Sequence, residues 1–177
     1  MKKIELAGEM GHGLYALVDN EDFEMLSKFR WNISRGSGRT LYAITAKSLS
    51  KNVTKAIGMH RMIMKPNPNV FIDHINHNGL DNRKANLRFA THRQNIINSP
   101  KRGAISSSKF KGVHYCRSNR KRLRKWIAQI MVDGKGKYIG SFFTETEAAI
   151  AYNVRAKKIF GEFAYLNKIE QMRKGNK

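Results

Sequence analysis

The stretch Phe71-Ile72-Asp73-His74-Ile75-Asn76-His77-Asn78-Gly79-Leu80-Asp81-Asn82-Arg83-Lys84-Ala85-Asn86-Leu87-Arg88-Phe89-Ala90-Thr91-His92-Arg93-Gln94-Asn95-Ile96-Ile97-Asn98 decides the reading of this chain. Val70 to Ile75 has the composition of a short strand and carries Asp73 and His74 on opposite faces or at its frayed end. Asn76 to Ala85, with Gly79 and several Asn and Asp, predicts a loop. Asn86 to Thr91 alternates like a second strand, and Thr91 with Gln94 predicts a capping box that opens a short helix holding Asn95. The unit is strand, loop, strand, helix.

That unit offers what phosphodiester hydrolysis requires: a group to activate water, charge to neutralise the phosphate and leaving oxygen, and a fixed geometry between them. His74 titrates near neutrality without special tuning and accepts a proton from water. Asp73 and Asn95 provide oxygen ligands from the strand and the helix, and hard oxygen donors without thiolate favour Mg²⁺ or Mn²⁺ over zinc. An Asp-His pair alone reads equally well as a surface turn, and an Asn-rich loop as turn chemistry.

Working outward, the 177 residues fill one ordinary domain or two small ones, and 41% hydrophobic content is enough for real cores. With 34 Lys and Arg against 13 Asp and Glu, the net charge of +21 points to a polyanionic partner. The charge is uneven: 9 basic and 6 acidic residues in 1–57, 6 and 2 in 58–100, and 19 and 5 in 101–177. Two thirds of the excess therefore sits in the last segment, where Lys109 to Lys125 holds eight basic residues and no acid, interleaved with Phe110 and Tyr115. A lone Cys116 excludes an internal disulfide and the usual zinc-finger or iron–sulfur sites. No apolar run approaches a membrane span or a signal core, so a cytoplasmic protein is expected, in a bacterial or phage-infected host cell.

Upstream, Tyr15 to Val18 predicts a strand, and a helix capped by Asp19 or Asn20 presents Phe23, Leu26 and Phe29 to a core. Arg30 to Ile33 and Leu41 to Thr45 read as a hairpin, and Met59 to Met64 as a helix ended by Pro66. Downstream, Lys101 to Ser108 reads as a basic linker. Gly112 to Tyr115, Lys125 to Val132 and Lys137 to Phe142 read as three strands, the last two joined at Asp133-Gly134-Lys135-Gly136. A helix then starts at a Thr144–Glu147 capping box, buries Ala149, Tyr152, Ala156 and Phe160, and stops at Gly161. Three antiparallel strands on one helix leave one sheet face free.

In the order Asp73-His74, Asp81-Asn82-Arg83, Asn86-Leu87-Arg88 and helical Asn95, residues His60 to Asn98 resemble the HNH nucleases of ββα-metal fold, especially the homing endonucleases of phages and group I introns. The resemblance implies that His74 is the general base, that Asp73 and Asn95 bind the single metal, and that Asn86 ties the loop and helps orient His74. Asp replaces His at the first motif position and Asn replaces His at the last ligand, both known in the homing subgroup. His60-Arg61 also recurs in that subgroup and is read as structural, with a possible phosphate contact from Arg61. His77 and His92 read as exposed polar residues.

Residues Ser108 to Asn167, with Phe110-Lys111-Gly112-Val113-His114-Tyr115, Gly140-Ser141-Phe142 and Gly161 to Asn167, look like the Apetala/ERF-type DNA-binding domain, whose sheet enters the major groove. The resemblance puts Lys111, His114, Trp126, Gln129 and Tyr138 on or beside the DNA face and Arg117, Arg120, Arg122, Arg124 and Lys137 near it. Lys111 and His114 stand where that family usually has base-reading Arg, and the loop from Arg117 to Lys125 is longer, so the family's target sequence does not transfer.

The expected fold is α+β: a ββα-metal nuclease module plus a small three-stranded antiparallel sheet packed on one helix. The expected organisation is a nuclease half comprising 1–57 and an HNH core at 58–100, a linker at 101–108, a DNA-binding domain at 109–168 and a basic tail at 169–177. The expected function is Mg²⁺- or Mn²⁺-dependent hydrolysis of double-stranded DNA by a monomer, one ion per active site, leaving 5′-phosphate and 3′-hydroxyl ends. An inactive DNA-binding transcriptional regulator is the alternative. An RNA-binding protein fits less well, because a major-groove sheet suits A-form RNA poorly.

Overall fold

The computed structural model describes residues 1–36, 40–50, 53–101, 107–117, 123 and 125–169. The chain divides into two compact units, Met1–Ile96 and Ile97–Lys177, each mixing helix and sheet in the α+β manner. Of the residues expected near DNA, Arg120, Arg122 and Arg124 lie outside the described residues, as do 102–106 of the expected linker and 170–177 of the expected tail. Among the described residues no helix is long and apolar enough to cross a membrane.

In the first unit, β1 (Lys2–Glu5) pairs antiparallel with β2 (Tyr15–Val18) and sets Ile4 opposite Ala16, both buried. Helix α1 (Asn20–Leu26) follows Asp19, whose carboxylate leaves the helix end uncapped and instead accepts a hydrogen bond from the backbone N–H of Lys84 at 2.7 Å. The helix stops at Leu26, so Phe29, expected on its apolar stripe, lies beyond it and is 38% exposed. Trp31 takes the buried place, its indole N–H donating to the Leu26 carbonyl at 2.8 Å. Strands β3 (Asn32–Arg35), β4 (Leu41–Ser50) and β5 (Val53–Gly58) form an antiparallel sheet in that order. Helix α2 (Met59–Met64) ends where Lys65 turns left-handed ahead of Pro66.

Strands β6 (Phe71–His74) and β7 (Leu87–Ala90) make the central hairpin, with Asp73 opposite Arg88 and His74 opposite Leu87. Helix α3 (His92–Asn98) is opened by a reciprocal pair: Gln94 N–H donates to Thr91 Oγ1 at 3.2 Å, and Thr91 N–H to Gln94 Oε1 at 2.8 Å. Ile72 and Leu87 press the hairpin onto a core of Val18, Leu26, Trp31, Ile33, Met59 and Ile63. Each such side chain contributes about 1.5–3 kcal/mol by burial, which anchors the hairpin that carries Asp73 and His74.

In the second unit, β8 (Val113–Tyr115), β9 (Trp126–Val132) and β10 (Lys135–Phe142) form an antiparallel sheet ordered β10-β9-β8. The β9–β10 turn is tighter than the four residues expected, with Asp133 and Gly134 both at positive φ (52° and 73°), the backbone of a two-residue hairpin turn. Helix α4 (Glu145–Phe160) carries the Thr144–Glu147 capping box and stops at Gly161. Ala148, Ala149, Tyr152 and Ala156 cover Val113, Ala128 and Ile130 of the sheet. Asn167 fastens the following segment by bonding both the N–H and the carbonyl of Lys111 and the side chain of Asn153.

Gly112 is the tightest point of this unit. At φ 74° a Cβ there would lie 2.1 Å from the Tyr152 ring and 2.5 Å from the Gln129 carbonyl oxygen. Gly112→Ala is therefore expected to cost about 3 kcal/mol, combining left-handed strain with overpacking. Urea unfolding of the variant checks this, and a loss below about 1 kcal/mol would contradict the packing described.

Candidate functional site

Asp73 and His74 end β6 with only 5% and 6% of their surface exposed. Two nitrogens of Arg88, the cross-strand neighbour, donate to Asp73 Oδ2 at 2.9 and 2.6 Å. His74 Nε2 faces Oδ1 of the fully buried Asn82 at 3.4 Å, the long end of the hydrogen-bond range. Burial holds the His74 pKa below the ordinary histidine value, opposed by Asn82 and by the Asp73 and Asp81 carboxylates.

The loop between the strands is cross-linked from within. Asn86 Nδ2 donates to Asn76 Oδ1 at 3.0 Å and to the Asp81 carbonyl at 2.8 Å, and Asn86 Oδ1 accepts from the Asn76 N–H at 3.0 Å. Arg83 grips Asp81 with two donors at 2.7 Å each, which holds the Asp81 carboxyl below the usual carboxylate range. The N-terminal segment supports the same loop: Leu17 accepts from Asn82 N–H and donates to the Leu80 carbonyl, both at 2.8 Å. Lys84 is paired with Glu21 and Asp22 of α1.

Three rings meet at His74. Its centroid lies 5.3 Å from that of His60 and 5.7 Å from that of Tyr42, and Tyr42 and His60 are 5.8 Å apart. A Cβ on Gly79 would come within 2.4 Å of the Leu41 carbonyl oxygen and 2.6 Å of the Tyr42 ring, so glycine lets the loop lie against β4. Tyr42, His60, Asn82 and Arg88 are the neighbours that sequence reasoning leaves without a part in the site. Asn82 and Arg88 stand inside the quoted motif and were findable there; Tyr42 reads only as a strand residue. Arg61 donates to the Val70 carbonyl at 3.1 Å. Asn95 sits half-buried in α3, four residues past the Thr91 cap.

His60 has a buried Nδ1 with no hydrogen-bond partner in the structure, and burial, then His74, then Arg61 push its pKa down to about 3. The unfolded chain takes up a proton near the ordinary value of about 6.5. The folded-state pKa is depressed, so stability is full above about 6.5 and is lost as pH falls towards 3. For this partly exposed ring the loss is about 1 kcal/mol per pH unit. His60→Phe keeps the ring and removes the titration, so its acid limb in urea titrations should be flatter by about that amount. Identical slopes for variant and wild type would refute this.

On the sheet of the second unit, register divides the expected DNA-facing residues. Gln129 pairs with Tyr138, His114 with Ile127, and Met131 with Gly136; these residues occupy the face away from α4, with Gln129 exposed and Tyr138 63% exposed. Trp126 pairs with Phe142 and Tyr115 on the helix side, where it packs against the Val113–Ala128 cluster. Lys137 lies opposite the buried Ile130, exposed on the edge strand. The Lys111 ammonium donates to the carbonyls of Ile97 and Ser99 at 2.7 and 2.6 Å, so it fastens backbone instead of reaching out from the sheet. Arg117 is exposed just beyond β8.

Residues 65–96 match the family model described as HNH endonuclease. Over 160 residues the chain is 31% identical to an uncharacterized HNH endonuclease of Acanthamoeba polyphaga mimivirus, covering 90% of this chain and 78% of that protein. A stretch of 51 residues is 41% identical to dehydration-responsive element-binding protein 2D of Arabidopsis thaliana, 28% of this chain and 25% of that protein. No solved structure gives a significant match. The family match covers the hairpin and most of α3, the stretch that holds Asp73, His74, Asn86 and Asn95, and the longer similarity runs through both units. The chain belongs to the HNH endonuclease family.

Proposed function

We propose that this chain is a divalent-metal-dependent DNA endonuclease of the homing type, in which the first unit cuts and the second binds duplex DNA. The arrangement of Asp73 and His74, buried side by side at the end of β6 under a loop stapled by Asn86, carries the reading. The hairpin followed directly by a capped helix supports assigning the ββα-metal fold to residues 58–100. The partial similarity to the plant element-binding protein supports a DNA-binding domain at 109–168.

Asp73 is a buried carboxylate and Asn95 a half-buried carboxamide, and no group of three or more His, Cys, Asp or Glu able to hold a metal occurs among the described residues. An all-oxygen donor set with few protein ligands fits Mg²⁺ or Mn²⁺, which retain water and take substrate phosphate as ligands. When bound, the cation supplies charge neutralisation at the phosphate and the departing 3′ oxygen. His74 does the proton work. Its imidazole, beside Asn82, accepts a proton from the attacking water as the new P–O bond forms and the bond to the 3′ oxygen breaks. Arg88 holds the Asp73 carboxylate in place, Asn86 holds the loop closed, and the Tyr42 and His60 rings fix the imidazole plane.

The test is nicking or linearisation of plasmid DNA by the purified chain with Mg²⁺, its suppression by EDTA, and its loss in His74→Ala. Duplex binding without Mg²⁺-dependent cleavage under any of these conditions would instead support the inactive-regulator reading.

A further inference from the structure

Among the described strand residues, the sheet face of the second unit that points away from α4 carries no Lys or Arg. The residues that share the face away from α4 are His114, Ile127, Gln129, Met131, Gly136, Tyr138 and Ser141. Lys135 and Lys137 pair with Val132 and Ile130 and so belong by register to the opposite side, along the sheet edge. Strand β8 pairs with Trp126–Ala128 and the Gln129 N–H still donates to the Gly112 carbonyl at 2.8 Å, so from Ile130 onward β9 and β10 continue as a two-stranded ribbon of Ile130–Val132 against Lys135–Lys137. A two-stranded ribbon is a shape the major groove of B-DNA admits, and the flanking lysines suit its phosphates.

The chemistry of that ribbon discriminates between bases. Guanine is read by a bidentate Arg or Lys on N7 and O6, and the described strand residues of this face include neither. Adenine is read by a bidentate Gln or Asn on N6 and N7, and thymine by apolar contact with its methyl group. Gln129 is exposed where the ribbon leaves the three-stranded sheet, Met131 beyond it is 57% exposed, and Ile127 lies before it on the same face. Across the ladder, Gly136 leaves both side chains room: a Cβ there would stand 3.6 Å from Met131 Sδ and 3.9 Å from Gln129 Oε1.

We infer that the second unit reads A·T base pairs in the major groove, with Gln129 as the adenine-reading residue and Met131 and Ile127 as thymine-methyl contacts. This rests on the reading of that unit as the duplex-binding module.

The experiment is fluorescence anisotropy of the full chain in EDTA at fixed salt on two duplexes of equal length and mixed order, one built of A·T pairs and one of G·C pairs. The A·T duplex should bind about tenfold more tightly. Gln129→Ala should bring it down to the G·C level, with circular dichroism showing that the variant is folded. Equal affinities in the wild type, a G·C preference, or an A·T preference that survives Gln129→Ala would overturn the inference. A Lys135→Glu, Lys137→Glu double variant separates this from the reading beneath it. If it weakens both duplexes alike, the sheet binds DNA whatever the base preference; if it weakens neither, the duplex-binding role of the sheet fails and the inference with it.

Discussion

His74→Ala is expected to slow Mg²⁺-dependent cleavage by about 10²- to 10⁴-fold, with duplex affinity changed by less than about twofold. The size follows from what the side chain does. It is a neutral imidazole at the end of a strand, with Nε2 directed at Asn82 and the ring held between Tyr42 and His60. Water at neutral pH is a poor nucleophile unless a base takes its proton in the transition state, and no other histidine shares a strand with Asp73. Affinity should be spared because two thirds of the positive charge excess, the part proposed to hold duplex DNA, lies in residues 101–177. His74 is 6% exposed, so alanine also removes packing, and a second variant is needed. His74→Gln fills the space and retains hydrogen bonding but accepts no proton at neutral pH. Both variants should be folded by circular dichroism and equally slow in single-turnover cleavage. Either one folded and cutting within about tenfold of wild type would remove His74 from the role of base.

The parts of this structure that were legible in the sequence are those set by local chemistry. The β6–β7 hairpin, the Thr91–Gln94 and Thr144–Glu147 boxes and the Gly161 stop each depend on residues within a few positions of one another, and each forms where the spacing predicts. The three-stranded sheet on one helix follows from the same alternation. What surrounds His74 does not. Tyr42 arrives from a strand more than thirty residues upstream, and it reaches the imidazole only because Gly79 lets the loop approach β4. Leu17 and Asp19 hold that loop through backbone and carboxylate contacts that no periodicity announces. Trp126 and Lys111 show a different limit. Composition places an aromatic and a cation in a DNA-binding segment, but strand parity turns Trp126 towards the helix, and a pair of carbonyls draws the Lys111 ammonium onto the backbone. Phe29 is excluded from its helix because Trp31, two residues on, occupies the core.

Duplex affinity of the full chain in EDTA should fall by roughly 10³- to 10⁵-fold between about 50 and 200 mM salt. Each phosphate neutralised by Lys or Arg releases condensed counterions, so the logarithm of the binding constant falls with the logarithm of salt at a slope of about −0.9 per contact. The composition of the second unit suits many such contacts. Arg117, Lys135 and Lys137 are exposed, the described strand residues of the face away from α4 include no Lys or Arg, and Arg120, Lys121, Arg122 and Arg124 stand in the sequence between Arg117 and Lys125. About six to ten phosphate contacts, drawn from the 19 basic residues of 101–177, give the stated range. The division of labour on the sheet makes the result diagnostic. If the two flanking lysines meet phosphate, as proposed, Lys135→Ala with Lys137→Ala should make the slope shallower by about 2 on every duplex, because each change removes one phosphate contact. Gln129→Ala should leave the slope alone and change only the preference between duplexes, because an uncharged amide releases no counterion. A wild-type slope shallower than about −3 would mean that the excess of +14 in this segment does not meet the DNA backbone, and that the face of Gln129 and Tyr138 serves some other surface.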